Sequence, residues 1–345
     1  MRRRRKRKTG LGTVILAACL IGLVWEGQAP APQLEPIPPI PQSGPDIHGH
    51  RGIYLTSYVL ARPDFLGEVL EKLAAYGLDT VVVNVKNMHG EVCYASSVEL
   101  AHVIGAVRPR IDIPEILALV HARGMYAIAR QVVFYDPLLA EHLGSPAAPW
   151  VLPTDEQAVA YNVAIARELA SLGFDELQLD YVRFPDDGAI GGDYSDRCAA
   201  VEAFLARVRE ALPVPLSVDV FGRVLWPWNA RRIDPIGQQL EGMAQQVDLF
   251  SPMLYPSHYV EQSLKDDPYG TVKRALEHGM ARVDVPMRPF LQAFDMNIPL
   301  GMTLPEYIIA QIRAAEEMGA DGYLFWNPRA DYSALWQALA LLGKD

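Results

Sequence analysis

The chain has 345 residues, half of them hydrophobic, and a formal net charge of −10, which suits one large domain with ample apolar material for a core. From residue 29 onward, 24 basic residues face 40 acidic ones, a net charge of −16 that argues against nucleic acid and anionic lipid as ligands. Beyond the first 28 residues only Cys93 and Cys198 remain, too few for a disulfide framework or a zinc site by themselves. One Cys93–Cys198 bridge is possible, but two unpaired buried thiols suit the composition better.

The first segment combines a cationic run, Arg2 to Lys8, with an uncharged apolar stretch from Leu11 to Trp25. That pattern keeps the N-terminus in the cytoplasm and exports the rest. Thr9 to Trp25 spans 17 residues, the short end for a membrane-crossing helix, so residues 1–28 are expected to form an uncleaved signal-anchor. Two alternatives remain: a lipoprotein modified at Cys19 within Leu16-Ala-Ala-Cys19, or a secreted form cleaved after Ala29. All three place the remainder outside the cytoplasm. Residues 29–48 follow as a linker; seven prolines between Ala29 and Pro45 favour a stiff polyproline spacer.

From residue 49 to the end, short apolar strands alternate with amphipathic helices. Strands are expected at Gly52–Tyr58, Thr80–Lys86, Tyr126–Phe134, Glu176–Arg183, Leu216–Gly222, Leu249–Tyr255, Arg288–Phe294 and Gly322–Asn327. Helices are expected at Asp64–Tyr76, Ile113–Arg123, Asp155–Leu172, Ser195–Leu212, Pro268–Ala281 and Leu304–Met318, the last opening on the capping box Thr303-Leu-Pro-Glu306. Strict alternation implies a parallel sheet flanked by helices, and eight strands over this length fit a closed (β/α)₈ TIM barrel. A doubly wound open sheet is the runner-up, disfavoured because no glycine-rich phosphate loop follows the first strand.

In a barrel, alternate residues of each strand face the axis. That register directs Asn84 and Lys86 inward on strand 2, and Gln178 and Asp180 on strand 4. Strand 5 contributes Ser217 and Asp219, and strand 6 Ser251, Met253 and Tyr255. Strands 7 and 8 contribute Gln292 and Trp326. The catalytic candidates are Asp180 and Asp219, carboxyl groups at the ends of neighbouring strands, where barrel active sites lie. Glycoside hydrolysis needs such a pair, set closer for retention than for inversion. Lys86, Asn84, Arg183, Tyr255, Gln292 and Trp326 are candidate substrate-binding residues, and a neighbouring cation such as Arg183 or Lys86 would keep Asp180 ionised. The competing role for either aspartate is a buried ion pair with Arg130 or Arg183. Glu91 and Asp295 are reserve carboxylates, and Trp150, Trp226 and Trp228 lie in loop-like segments where they could stack on sugars. The histidines are dispersed and no Gly-x-Ser-x-Gly elbow occurs, so neither a metal site, a cofactor nor serine-hydrolase chemistry is expected.

Gly52-Ile-Tyr54, Val85-Lys86 with Gly90-Glu-Val-x-Tyr94, Gly173-Phe-Asp-Glu-Leu-Gln-Leu-Asp-Tyr-Val-Arg-Phe-Pro185 and Ser251-Pro-Met-Leu-Tyr-Pro-Ser-His-Tyr259 resemble a bacterial family of glycoside-hydrolase-like barrels known as a domain of unknown function. The resemblance covers about residues 50 to 328. The chain also looks like the wider amylase and α-galactosidase barrels, which carry an aspartate nucleophile at the end of strand 4, the place of Asp180. The resemblance implies a glycosidase acting on an extracellular or cell-envelope polysaccharide. The register assigns the acid/base to Asp219 of a retaining enzyme, with an inverting enzyme using the same pair as a variant. A membrane-tethered barrel that binds carbohydrate without cleaving it is the rival reading.

Overall fold

The structure, a computed structural model, describes residues 46–343 apart from 63 and 187–189. The expected membrane segment, the cysteine at position 19 and nearly all of the proline-rich linker lie outside these residues. No helix among those described is long and apolar enough to cross a membrane.

Eight parallel strands close into a barrel in sequence order: β1 Arg51–Leu55, β2 Thr80–Lys86, β3 Tyr126–Val132, β4 Glu176–Asp180, β5 Leu216–Phe221, β6 Leu249–Leu254, β7 Phe290–Gln292 and β8 Tyr323–Trp326. β1 pairs with β8 through Gly52 opposite Leu324, so no edge is left exposed. A helix follows each strand: α1 Phe65–Ala75, α2 Ile113–His121, α3 Glu156–Ser171, α4 Tyr194–Ala211, the one-turn α5 Leu240–Met243, α6 Pro268–Met280, α7 Leu304–Glu317 and α8 Ser333–Leu342. This is the (β/α)₈ arrangement read from the alternation.

Strand periodicity divides the apolar residues between two cores. Val81, Val83 and Val85 of β2 and Leu177 and Leu179 of β4 face the helices, within one large shell of buried aliphatic side chains. Tyr54, Val82, Tyr126, Ile128, Phe290 and Leu324 face the axis and fill the barrel interior. Buried on both sides, such strands read as nearly continuous apolar runs. Thr303 and Glu306 form the reciprocal capping box at the start of α7, and Asp155 caps α3 by accepting from the Gln157 and Ala158 amides. Gly52 admits the neighbouring strand, since a Cβ there would stand 2.0 Å from the Thr80 carbonyl oxygen. Cys93 and Cys198 are buried free thiols.

The N-terminal end of the barrel is closed by charge. Arg288, fully buried, donates to Glu176, which also accepts from Ser217. Outside this plug, the Nδ1 atoms of His48 and His50 meet Asp321 at 2.9 Å and Asp79 at 2.8 Å. Contacts with the barrel thus begin ahead of residue 49. A polypeptide of residues 46–345 should therefore melt in one cooperative transition. One starting at Arg51, without the two histidines, should melt several degrees lower; equal melting temperatures would show that the pairs contribute nothing.

Candidate active site

Asp180 ends β4, and its carboxylate accepts from the Arg130 guanidinium and, at 2.6 Å, from the Tyr181 amide. Tyr181 makes that second bond from the left-handed region, at φ 56°, unusual for a bulky residue, and β4 stops there. Asp219 lies at the equivalent level of β5, since Leu179 pairs with Val218. Its Oδ2 stands 3.8 Å from Arg130 Nε, and its Oδ1, also buried, has no hydrogen-bond partner among the described residues. Arg130 completes its own shell by donating to Asn84 Oδ1 at 2.8 Å and lying 5.2 Å from the Tyr54 ring centre. One buried guanidinium is therefore shared between two carboxyl groups.

The electrostatic outcome is unequal. Burial, then the neighbouring Asp180 charge, push the Asp219 carboxyl well above the ordinary carboxylate range, and Arg130 only partly opposes them. Asp219 therefore keeps its proton to higher pH than it would in the unfolded chain.

Above the pair opens a cavity of about 400 Å³. Its floor holds Arg130, Asp180 and Asp219, one wall carries Met253, Tyr255, Phe290 and Trp326, and the other carries Tyr181, Arg183, Phe221 and Arg223. Tyr255 and Trp326 stack at 5.5 Å with an interplanar angle of 23°, and Phe294 meets both edge-on. His258 also lines the cavity, its pKa lowered by burial. A groove of about 510 Å³ adjoins it, sharing Arg223, His258 and Tyr259 and adding Trp226 and Trp228 from the long loop after β5.

The structure brings together Asp180, Asp219, Arg183, Tyr255 and Trp326, and not the other candidates. Lys86 is a correction: a β-bulge makes Asn84 oppose Arg130 but Lys86 oppose Gln131, so the alternation breaks at Val85. Lys86 consequently faces the helices, fully buried, 2.7 Å from Asp136 and over the Tyr161 ring of α3. The cation beside Asp180 is Arg130, neither Lys86 nor Arg183. Asn84 acts only through Arg130. Gln292 is buried away from the cavity, donating to the Phe294 and Met296 carbonyls and accepting from Tyr307 and the Ser257 amide. Glu91 is paired with Arg110 and Asn87 on the β2 loop, and Asp295 is exposed outside the cavity. Trp150 braces the Tyr135 and Tyr181 rings. Arg130 was legible as the third inward residue of Tyr126-Ala-Ile-Ala-Arg130, had the register used for β2 and β4 been applied to β3 as well.

The family model described as "Putative glycosyl hydrolase domain" matches residues 52–332, from β1 to the start of α8. The chain belongs to this family. Among solved structures, the glycoside hydrolase domain of PgaB (BpsB) from Bordetella bronchiseptica is similar at a TM-score of 0.63 and 14% identity, covering 84% of this chain and 98% of that one. An endo-β-1,4-mannanase from Thermotoga petrophila follows at 0.60 and 11%, covering 87% and 77%, and a class V chitinase from Pseudomonas fluorescens at 0.55 and 13%, covering 85% and 98%. These likenesses concern the fold. A comparison with curated protein sequences gives no match. In this glycosyl hydrolase family member, the matched region contains every residue of the floor and both walls.

The shared guanidinium sets an expectation for stability. Arg130→Met would leave two buried carboxyls without a cation, a loss of about 3–5 kcal/mol near neutral pH. The deficit should shrink in acid, because a carboxylate–cation pair contributes stability only while the carboxylate is charged. Denaturant titrations at several pH values measure this, and a deficit independent of pH would mean Arg130 acts by packing alone.

Proposed function

We propose that this domain is a retaining glycoside hydrolase acting on a polysaccharide, with Asp180 as nucleophile and Asp219 as acid/base. The observation that carries the reading is one buried arginine shared by two carboxyl groups of adjacent strands at the floor of an aromatic-walled cavity. Membership of the glycosyl hydrolase family supports the reaction class. The cationic and apolar pattern of residues 1–28 supports an extracytoplasmic, membrane-tethered site of action, where an envelope or extracellular polymer is the available substrate.

Asp180 would attack the anomeric carbon while the Asp219 proton passes to the departing glycosidic oxygen. The carbon–oxygen bond to the leaving sugar breaks as the bond to Asp180 forms. Once esterified, Asp180 carries no charge, so the repulsion that held the proton on Asp219 is gone and Arg130 answers to Asp219 alone. Both changes lower the Asp219 pKa at the stage when it must act as a base. Water then attacks the anomeric carbon, gives its proton to Asp219 and releases Asp180 as the carboxylate. The stacked Tyr255 and Trp326 would present ring faces to a pyranose.

Asp180→Asn should abolish turnover with the melting temperature within a few degrees of the parent. Asp219→Ala should cripple cleavage of a natural glycan yet largely spare glycosyl-enzyme formation from an aryl glycoside with an acidic leaving group. Added azide should restore its turnover, since a small anion attacks without a general base. Comparable losses on both substrates with no azide effect would exclude Asp219 as acid/base. A folded wild-type domain that binds glycans and cleaves none of a broad panel would favour the non-catalytic barrel.

A further inference from the structure

Three guanidinium groups line the cavity, and two of them turn Nε toward a carboxylate. Arg130 is held by Asn84 and the two catalytic carboxyls. Arg223 presents its Nε and Nη2 edge to both oxygens of Asp234, each at 3.0 Å. Arg183 differs. Its Nη1 donates to the Phe184 carbonyl at 3.0 Å and lies 3.4 Å from Asp186, a half-exposed carboxylate whose other oxygen is 3.5 Å from Arg223. Among the described residues, Arg183 Nε and Nη2 have no partner, and neither is among the unpaired atoms sealed in the core. This is the edge that engages a carboxylate through two parallel bonds, as Arg223 does with Asp234.

The group is also held rigid. The Arg183 guanidinium carbon lies 4.4 Å from the Trp150 ring centre and 4.6 Å from that of Phe221, with Tyr181 at 5.7 Å. The side chain is only 9% exposed. Burial lowers its pKa, so the nearby Asp186 does not make good the lost hydration. A clamped cation whose Nε and Nη2 edge has no partner among the described residues carries a demand for an anion.

We propose that Arg183 selects a substrate whose sugar bears a carboxylate, bound on the β4–β5 side of the cavity through the guanidinium Nε and Nη2 edge. This rests on the glycoside hydrolase reading and adds the substrate class to it. The opposite wall, built from Tyr255, Phe290 and Trp326, offers no charge and suits the neutral face of the adjoining sugar. The chain's net negative charge opposes the approach of a polyanion. Selection through Arg183 should accordingly appear in affinity, after contact, rather than in association rate.

The test is calorimetric binding to the wild-type domain, alongside turnover, with matched pairs of oligosaccharides. Oligouronates and glycan strands carrying a lactyl ether would each be compared with their carboxyl-reduced forms, which separates a ring carboxylate from an ether-borne one. At least tenfold tighter binding of one acidic member over its reduced partner is expected. Arg183→Met should bring that ratio toward one, and Arg183→Lys should keep part of it, provided both melt like the parent. If either variant is unfolded, the wild-type ratio still decides the matter. Equal or tighter binding of the reduced forms overturns the proposal while leaving the hydrolase reading intact if they are cleaved, and binding of neither member overturns it too. Preferential binding of an acidic member with no cleavage upholds the specificity and counts against the hydrolase.

Discussion

The site is organised by a single cation at the bottom of the cavity. Arg130 reaches Asn84, Asp180 and Asp219 from the middle of β3, and each contact comes from a different strand. Burying a guanidinium is tolerable only because the surrounding groups replace its water. The same requirement fixes the two carboxyls to within reach of one planar group. The inequality between them then follows from geometry: Asp180 has two hydrogen-bond donors, whereas Asp219 has one distant cation and an unpartnered oxygen. A barrel supplies this arrangement naturally, because neighbouring parallel strands bring residues of equal register to the same level of the axis.

A second buried ion pair lies nearer the N-terminal ends of the strands, between Glu176 at the start of β4 and Arg288 just ahead of β7. The interior is thus layered, with a charged plug below, aromatic and aliphatic packing between, and the Asp180 and Asp219 carboxyls above. Conserving rigidity at the bottom leaves the loops at the top free to define the binding surface. The segment after β5 uses that freedom, contributing Arg223 to the cavity wall and Trp226 and Trp228 to the adjoining groove.

The barrel was readable in the sequence because its strands and helices have sharply different periods, and because β2 matches its expected span of Thr80–Lys86. Strand ends were overrun where apolar sequence continues past the ladder: β4 stops at Asp180 since Tyr181 turns into the left-handed region, and Pro289 lacks the amide that would carry β7 from Arg288. The positions of Asp180, Asp219, Tyr255 and Trp326 followed from period-two alternation alone. Lys86 did not, because a bulge breaks the alternation without a glycine or proline to announce it. Gln292 kept its inward register but its amide is consumed by the loop backbone, a demand that appears only once the loops are in place.

The central claim is that the Asp219 carboxyl is pushed well above the ordinary range because burial and the Asp180 charge outweigh Arg130. Carbon-13 NMR titration of the aspartate carboxyls in the intact domain, with Asp219 assigned by substitution, tests it most directly. The account requires the Asp219 resonance to titrate well above the ordinary aspartate value of about 4, and to move toward that value in Asp180→Asn. An Asp219 carboxyl that titrates near 4 in the wild-type domain would contradict it.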